Sequence, residues 1–434
     1  MTTKQWSIAN GLSYGLLGLP LAFVALPLYV ILPNYYAREF GVPLATLGAV
    51  LLGARLFDAV IDPWLGRWCD RWFARSAQLV LKVCAAAAML LAMGFVALFF
   101  PPVRNDALIV WALAALVLTY TAYSLVSVAH QSWGARLGGD ALQRSRIVAW
   151  REGLGLAGVL LASVLPVVAG LPVTTTVFIA VLLAGYVAWT RAPRPIVGDA
   201  GGTPLAVDSR GATLAHTNQT QASLWLPLSR PAFVALMVIF VLNGIASAIP
   251  ATLVLFFIQD LLQAPQKLEG GFLAAYFLAA ALSIPLWLRA IACFGLWRAW
   301  LGGMVLAVVV FVWAATLGRG DFAAFAVVCA LSGVALGADL AAPPALLAGV
   351  IQNHGDHGKS EGAYFGWWNF ATKLNLALAA GLALPALAFF GYSPGARAPQ
   401  ALQALVIAYC ILPCILKLIA AGALLFCAKR QNFT

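Results

Sequence analysis

The chain has 434 residues, of which 63% are hydrophobic and only 9% are charged. A sequence this apolar excludes a water-soluble enzyme or binding domain of the same length and indicates a polytopic membrane protein. The formal net charge of +11 is spread over many short loops, so it is no sign of nucleic-acid binding.

Apolar runs of about 20 residues predict twelve transmembrane helices and therefore an all-α membrane protein. The predicted helices are centred near residues 20, 54, 89, 118, 160, 181, 245, 280, 305, 335, 375 and 415. The first begins after Lys4 and is followed by more apolar runs without a small-residue cleavage site, so we expect a retained helix and not a signal peptide.

Lysine and arginine predict the orientation of such a chain, because they concentrate on the cytoplasmic side. If the N-terminus is cytoplasmic, most of the loop lysines and arginines fall in cytoplasmic segments. The outside loops then carry only Arg38, Arg104, Lys267, Arg319 and Arg397. Both termini are therefore predicted to be cytoplasmic.

One long polar segment, residues 191–229, interrupts the apolar pattern and is rich in Gly, Pro, Ser and Thr. It predicts a cytoplasmic linker between two six-helix bundles, residues 1–190 and 230–434. The halves are weakly similar, since DPWLGR at 62–67 aligns with IPLWLR at 284–289. Such repeats are typical of transporters that bind their substrate between the halves.

Charged residues within the predicted second helix are the strongest functional signal. Asp58 and Asp62 are one helical turn apart and Arg55 lies one turn before Asp58, so the three form one polar stripe. A carboxylate at this depth costs roughly 2.5–3.5 kcal/mol, and the matching positions of the second half are Ala280 and Ile284, so the acids are not needed to build the helix. One interpretation is an Arg55–Asp58 ion pair with Asp62 capping the helix near water. We favour a cation site, because carboxylates and a hydroxyl are suitable ligands for Na⁺ and two close acids let one of them hold a proton.

Further polar residues in or beside the predicted helices are candidates for substrate binding. Each has a structural alternative, since a histidine at a helix end is often simply hydrogen-bonded, tryptophans form interfacial belts, and adjacent charges pair with each other. The candidates are His130, Gln131, Trp133, Arg151, Glu152, Asn243, Ser247, Tyr364, Trp367 and Trp368.

Asp339, in the predicted tenth helix, is another intramembrane acid. Two functional interpretations are open, a charge-balancing pair with Lys373 and a second protonation site, beside a purely structural one. Pro343 and Pro344 are expected to break the helix nearby, which transporters tolerate beside a cavity.

Four segments of the sequence resemble the glycoside-pentoside-hexuronide:cation symporter family of the major facilitator superfamily. The resemblance covers most of the chain apart from the central linker and the termini. It implies two six-helix bundles and alternating access driven by a cation. The segments are LSYG (12–15), PLYVILPNYY (27–36), GARLFDAVIDPWLGRWCDR (53–71) and SEGAYFGWWNFATKLNLALAAGLALPALAFFGYSP (360–394).

The resemblance implies a cation site. The helix-two acids that coordinate Na⁺, Li⁺ or H⁺ in the family correspond to Asp58 and Asp62, and a fourth-helix hydroxyl of that site corresponds to Ser124. The eleventh-helix lysine of the family corresponds to Lys373. Together with Arg55, this lysine is expected to balance the two acids when no cation is bound.

The resemblance also bears on the substrate. Its fourth-helix pattern places Tyr123 and Ser127 near the substrate, and its fifth-helix arginine corresponds to Arg151. In galactoside-transporting members a Lys-Asp pair on helix one and an Asp on helix four bind the sugar hydroxyls, but the residues here are Leu21, Ala22 and Ser127. Because sugar recognition needs several hydrogen-bonding groups, we expect a substrate other than a galactoside. The apolar first helix suits the similar symporters of lysophosphatidylcholine better.

Gly66, Asp70 and Arg71 resemble the cytoplasmic gate motif of the superfamily. There the acid contacts neighbouring helix ends and holds the outward-open state. Loop 354–362, HGDHGKSEG, is expected to be its counterpart, with charged residues that form gate pairs.

These features predict a secondary active transporter and not an enzyme, in which Na⁺ or H⁺ drives symport of a small organic substrate. The alternatives are a transporter of lysophospholipids or other amphiphiles, a proton-coupled exporter, a membrane-embedded enzyme, and a sensor or scaffold that does not transport. We expect a monomer in the bacterial inner membrane whose partners are membrane lipid and a small-molecule or lipid-like substrate. No cofactor beyond the coupling ion is expected, and no structural metal, since Cys410 and Cys414 have no histidine nearby.

Overall fold

The computed structural model of the protein describes residues 6–42, 44–104, 106–195, 223–389, 391–392 and 395–431. All regular secondary structure in these residues is helical, and ten of the helices are long and apolar enough to cross a membrane. The prediction of an all-α, multi-pass membrane protein is confirmed. The number of twelve spans and the cytoplasmic termini stay predictions.

The described residues of the first half form eight α-helical segments, and a short π-helical segment (Pro27–Ile31) lies between the second and the third. Ser76 and Asp140 accept hydrogen bonds from backbone N–H groups in the first turns of the fifth and seventh segments, which fixes where these helices begin. The segments are α1 (Ile8–Gly15), α2 (Gly18–Leu26), α3 (Leu32–Glu39), α4 (Leu44–Arg75), α5 (Ala77–Phe99), α6 (Asp106–Arg136), α7 (Ala141–Val168) and α8 (Gly170–Thr190).

The second half also forms eight segments. Ala342 separates the fourth from the fifth, and the prolines Pro343 and Pro344 that follow it account for the break, because proline has no N–H for the helical ladder. The segments are α9 (Pro231–Phe256), α10 (Gln266–Phe294), α11 (Leu296–Ala314), α12 (Phe322–Ala341), α13 (Pro343–Asn353), α14 (Glu361–Phe389), α15 (Pro399–Val406) and α16 (Leu412–Gln431).

The predicted second helix of the chain is present as α4 and the predicted eleventh as α14, in addition to the ten apolar helices found among the described residues. Most of the predicted linker, residues 196–222, lies outside the described residues. The division into two bundles on either side of it therefore stays a prediction.

Two helix pairs make the most extensive contacts between the two halves. In one, α4 packs along α14, and Gly366 allows the α14 backbone to approach α4 at Pro63. In the other, α7 packs along α10, where Leu156 forms a small apolar cluster with Ala280 and Ile284. Ala280 and Ile284 are the positions that align with the two acids of α4. At matching positions, α10 therefore brings apolar side chains to its contact with the first half, whereas α4 brings acids to its contact with the second.

Candidate functional site

The two acids of α4 face the protein interior. Asp58 is 1% exposed and Asp62 is fully buried. Ser124 lies on α6 and donates its hydroxyl hydrogen to Asp58 Oδ1 over 2.6 Å. The three predicted cation ligands therefore lie together, at a point where α4 meets both α6 and α14.

A lysine from the other half occupies the centre of this group. Lys373 Nζ lies 2.7 Å from Asp58 Oδ1 and 2.7 Å from Asp62 Oδ2. It also donates to Ser124 Oγ over 2.7 Å and to the Asp58 carbonyl oxygen over 3.2 Å. Four oxygen atoms thus surround one ammonium group. Arg55, one turn before Asp58, is hydrogen-bonded to Tyr120 on α6.

A cavity of about 150 Å³ lies between α2, α6 and α7. Leu21 and Ala22, which replace the acidic and basic residues of the family pattern, form part of its wall. The predicted substrate residues that line it are Tyr123, Ser127, His130, Gln131 and Arg151. The cavity therefore brings together the first-half candidates from the sequence.

The polar groups of this cavity are arranged in two pairs. Arg151 forms an ion pair with Glu152, with Nε 3.0 Å from Oε1. Gln131 donates to Ser127 Oγ over 3.1 Å, and within the described chain its own side-chain oxygen accepts no hydrogen bond. The two charges in the cavity wall therefore cancel, which suits a polar molecule of no net charge.

His130 contributes mainly to structure. Its Nε2 lies 2.8 Å from the carbonyl oxygen of Tyr14, and the Tyr14 hydroxyl donates back to the carbonyl oxygen of His130. The ring is fully buried between Tyr14 and Trp189. Its contacts are those of a hydrogen-bonded histidine near the end of a helix.

Asp339 corrects one interpretation of the sequence. It does not pair with Lys373; its Oδ2 lies 3.2 Å from Nζ of Lys417 on α16. Asn243 joins this pair, since it donates to Asp339 Oδ1 over 3.0 Å and accepts from Lys417 over 2.7 Å. Asn243 therefore belongs to a second polar cluster in the other half and not to the cavity of α2, α6 and α7. Lys417 was missed, although it stands in an apolar run where the cost of a charge would have marked it.

Two predicted substrate residues on α14 make other contacts. Trp367 donates to the carbonyl oxygen of Leu224 over 3.0 Å and packs against Trp225. Trp368 stacks on Phe240 with the ring centroids 3.7 Å apart. Neither tryptophan lines the cavity between α2, α6 and α7.

The predicted gate residue Asp70 ties α4 to α6 and α14. It accepts hydrogen bonds from the backbone N–H groups of Gly362 and Ala363, at 2.7 and 2.8 Å. Arg136, at the end of α6, lies 2.8 Å from Asp70 and 3.0 Å from Glu361. The acid thus caps the start of α14, while one arginine holds two acids from different halves.

Gly66 and Arg71, the other residues of the gate motif, differ in their surroundings. Gly66 packs against the backbone of Gly362, so neither glycine has room for a side chain. Arg71 is exposed, and the described contacts of Asp70 are made without it. Asp356, in the loop before α14, forms an ion pair with Arg230, which directly precedes α9; the distance is 3.0 Å. Hydrogen bonding to this acid raises the pKa of Arg230.

Comparison with known proteins gives a family. The family model described as MFS/sugar transport protein matches residues 13–428. The chain is similar to the inner membrane symporter YicJ of Escherichia coli (strain K12), with 26% identity over 38% of this chain and 36% of the relative. It is also similar to the putative glycoside/cation symporter YagG of the same strain, with 25% identity over 37% of this chain and 35% of the relative. The matched part is thus only about a third of the length of these curated relatives.

Solved structures share the fold. An outward-facing bacterial homologue of the iron transporter ferroportin superposes with a TM-score of 0.69 and 14% identity, over 97% of this chain and 99% of that one. The major facilitator superfamily transporter FucP in its outward conformation gives a TM-score of 0.64 and 14% identity, over 96% and 99% of the two chains. At these identities the likeness establishes the major facilitator fold alone.

Proposed function

Since the chain belongs to the MFS/sugar transport family, we propose that it is a secondary active transporter in which Na⁺ or H⁺ drives symport of a small polar organic substrate. The family consists of transport proteins, so the prediction that the chain is not an enzyme is confirmed. The names of the curated relatives confirm the resemblance to glycoside and cation symporters.

The observation that carries the proposal is the position of the Lys373 ammonium among four oxygens of α4 and α6. Two carboxylates, a hydroxyl and a carbonyl oxygen form a ligand set that suits Na⁺, and the paired carboxylates suit a proton. The lysine fills this set when no ion is bound. Ion binding therefore requires the ammonium group to leave.

Displacement of Lys373 explains how ion binding can act on the whole protein. The lysine belongs to α14 of the second half, whereas Asp58, Asp62 and Ser124 belong to the first. An ion that replaces the ammonium breaks a contact between the halves at this depth and favours their relative movement. The ion thereby biases a two-state element, as a coupling ion must.

We place the substrate in the cavity between α2, α6 and α7. Helix α6 contributes Ser124 to the ion site and Tyr123 and Ser127 to the cavity wall, so a shift of α6 on ion binding reaches the substrate directly. Coupling is reciprocal, so substrate must raise the affinity for the ion by the same factor. The substrate is not a galactoside, because Leu21 and Ala22 offer the cavity no hydrogen-bonding side chain.

The remaining parts of the proposal concern the setting of the protein. We propose that it acts as a monomer in the bacterial inner membrane, with both termini cytoplasmic. The distribution of lysine and arginine supports the orientation, and a similar inner membrane symporter supports the location.

Ion-dependent thermal stability of the purified protein tests the ion site. A ligand that binds the folded state stabilises it, by about 2.7 kcal/mol at a hundred times its Kd. We expect Na⁺ or Li⁺, but not K⁺ at equal ionic strength, to raise the Tm of the wild type; for a proton-coupled protein, acidification replaces Na⁺. Asp58→Asn and Asp62→Asn should lose the response. Asp321→Asn, a matched change at an exposed loop residue, should keep it.

The contrary result is equally clear. If both variants on α4 respond to Na⁺ and to acid as the wild type and Asp321→Asn do, the ion site is not formed by these acids. A proton-coupled exporter would use the same ion site, and the direction of substrate movement in vesicles under an imposed pH gradient distinguishes it from a symporter.

A further inference from the structure

We propose that the second half contains a separate binding site for a neutral molecule with an aromatic or apolar body and a hydroxyl group at one end. The site is a cavity of about 180 Å³ between α9, α10, α11, α12 and α16. Asp339 and Lys417 form part of its wall. None of the proposed ion ligands on α4 and α6 lines it, so the inference stands or falls independently of the ion site.

The hydrogen bonds of the ion pair show what the site can still bind. Asp339 Oδ1 accepts from Asn243 at 3.0 Å and from Trp300 Nε1 at 2.8 Å, whereas the described partner of Oδ2 is Lys417 at 3.2 Å. Lys417 donates to Asn243 Oδ1 at 2.7 Å and to Asp339. A carboxylate oxygen accepts about two hydrogen bonds and an ammonium donates three. One acceptor position and one donor therefore remain beside the cavity, and a hydroxyl group uses both.

The charge of the site favours a neutral ligand. Asp339 and Lys417 cancel each other, and the side chain of Lys417 is only 6% exposed. An added carboxylate or ammonium group would leave a net charge at a buried position, which is costly. A hydroxyl group adds two hydrogen bonds without adding charge.

The rest of the cavity wall determines the size and polarity of the ligand that fits. Away from the ion pair its wall is mainly apolar, and Phe272, Tyr276, Phe277 and Phe311 supply aromatic rings. Apolar cavities of about 150 Å³ are known to hold a benzene ring, so 180 Å³ accommodates a ring with one small substituent. Such a pocket, apolar with a few convergent polar groups, is typical of ligand sites.

Photolabelling of the full-length protein tests the proposal. The probe is the trifluoromethyl-diazirine derivative of benzyl alcohol, compared with the corresponding benzoic acid and benzylamine derivatives. Labelled positions are identified by peptide mass spectrometry. We expect the alcohol to label α10 and α12 at the cavity wall, to be displaced by excess benzyl alcohol, and to label at least about fivefold more than either charged derivative.

Two variants separate the site from partition of the probe into lipid. Ala251→Leu fills the cavity from an exposed position of its wall, and Ala274→Leu makes the same change on an exposed face of α10 outside the cavity. Labelling of the cavity wall should fall at least about fivefold in Ala251→Leu and stay unchanged in Ala274→Leu. The paired change Asp339→Asn with Lys417→Met keeps the charge balanced and should abolish the preference for the alcohol.

The proposal is overturned if Ala251→Leu labels as the wild type does, if the three derivatives label equally, or if the paired variant keeps the preference. In Asp58→Asn, the probe should label the cavity wall as it does in the wild type. Loss of labelling in that variant would also contradict a site separate from the ion site.

Discussion

Lys373 links the proposed ion site in the first half of the chain to α14 in the second half. Its ammonium group is 2.7 Å from an oxygen of each acid, and the residue belongs to the opposite half of the chain. An ion must therefore compete with a group that the protein itself supplies at very high effective concentration. The apparent affinity for the ion therefore reflects the difference between the binding free energies of the ion and of the ammonium group.

Replacement of Lys373 by methionine should make the protein more dependent on the ion. Two buried carboxylates without their lysine cost about 3–5 kcal/mol in the ion-free state, and the competitor for the ion is gone. We expect a lower Tm without Na⁺ and half-maximal stabilisation at a Na⁺ concentration at least about tenfold lower. Lys82→Met, an equal change at an exposed residue of α5, should match the wild type. An unchanged Na⁺ dependence in Lys373→Met would contradict competition at this site.

Ser124 tests the hydroxyl ligand by a smaller change. Hydrogen bonds to charged groups are worth about 1.5–3 kcal/mol, so Ser124→Ala should weaken ion binding by about ten- to a hundredfold while the two acids stay in place. Titration of the Tm with Na⁺ measures the effect. Thr121→Ala removes a hydroxyl from the same helix that bonds only to its own backbone at Val117, and should have no effect. Equal behaviour of the two variants would remove Ser124 from the site.

At the scale of helices, glycine sets how closely α4 and α14 approach. A Cβ atom at Gly66 would overlap the carbonyl group of Gly362, so the gate end of the two helices closes only with glycine at both positions. The side chains of Asp70 and Glu361 reach Arg136 as a result of this approach. The glycine of the gate motif is thus explained by contact of two backbones.

Gly66→Ala should therefore hold the gate end of α4 and α14 apart. Overpacking of this kind costs about 1–3 kcal/mol, and Cys69, which is fully buried on α4, should become reactive. Maleimide labelling of the Cys69 peptide, followed by mass spectrometry, measures the change. Gly53→Ala is the control on the same helix, because a Cβ atom there meets open space. If Cys69 stays unreactive in Gly66→Ala, close approach of the glycines does not control the gate.

The helices themselves were predictable because each carries its signal locally. Apolar runs predict the spans, and the spacing of Asp58 and Asp62 predicts that both acids lie on one face of α4. The partner of Asp339 was not predictable in this way, since two lysines in apolar surroundings, Lys373 and Lys417, were equally available in sequence. Only the fold, which brings Asp339 into contact with Asn243 of α9 and Lys417 of α16, decides between them.

At the scale of the molecule, ion pairs join the two halves at two places in the described part of the chain. Lys373 forms one within the membrane-spanning part, and Arg136 forms the other at the predicted cytoplasmic end, where it bonds to Asp70, Glu361 and the carbonyl oxygen of Gly358. Arg136 is fully buried, so it is not an incidental surface pair. The structure is thus closed at the gate end.

Arg136→Gln should open the gate end of the molecule. Removal of one partner from a buried ion pair costs about 3–5 kcal/mol, so the amides of Gly362 and Ala363, which donate to Asp70, should exchange with deuterium at least about tenfold faster. Arg146→Gln, at an exposed position of α7, is the matched control. Unchanged exchange at the start of α14 would show that the arginine does not hold the gate.

The fold of the whole molecule followed from the sequence more readily than its site did. The resemblance named the acids, Ser124 and Lys373 because their motifs are compact in sequence. Trp367 and Trp368 were predicted to bind the substrate, but the structure gives them other contacts. An aromatic residue in a helix can face lipid, the core or a cavity, and the sequence alone does not distinguish these. The contact of Trp367 with Leu224 joins residues more than a hundred positions apart in the sequence, and only the folded chain shows it.

In the proposed Na⁺-driven cycle, Lys373 also determines how the membrane voltage acts on the loaded and the empty protein. With Lys373 and Arg55 beside Asp58 and Asp62, the empty carrier has no net charge there, whereas a carrier loaded with Na⁺ has one positive charge. A potential of 100 mV changes the energy of one transferred charge by about 2.3 kcal/mol. An inside-negative potential therefore pulls the loaded form inward and leaves the return of the empty form electrically unopposed.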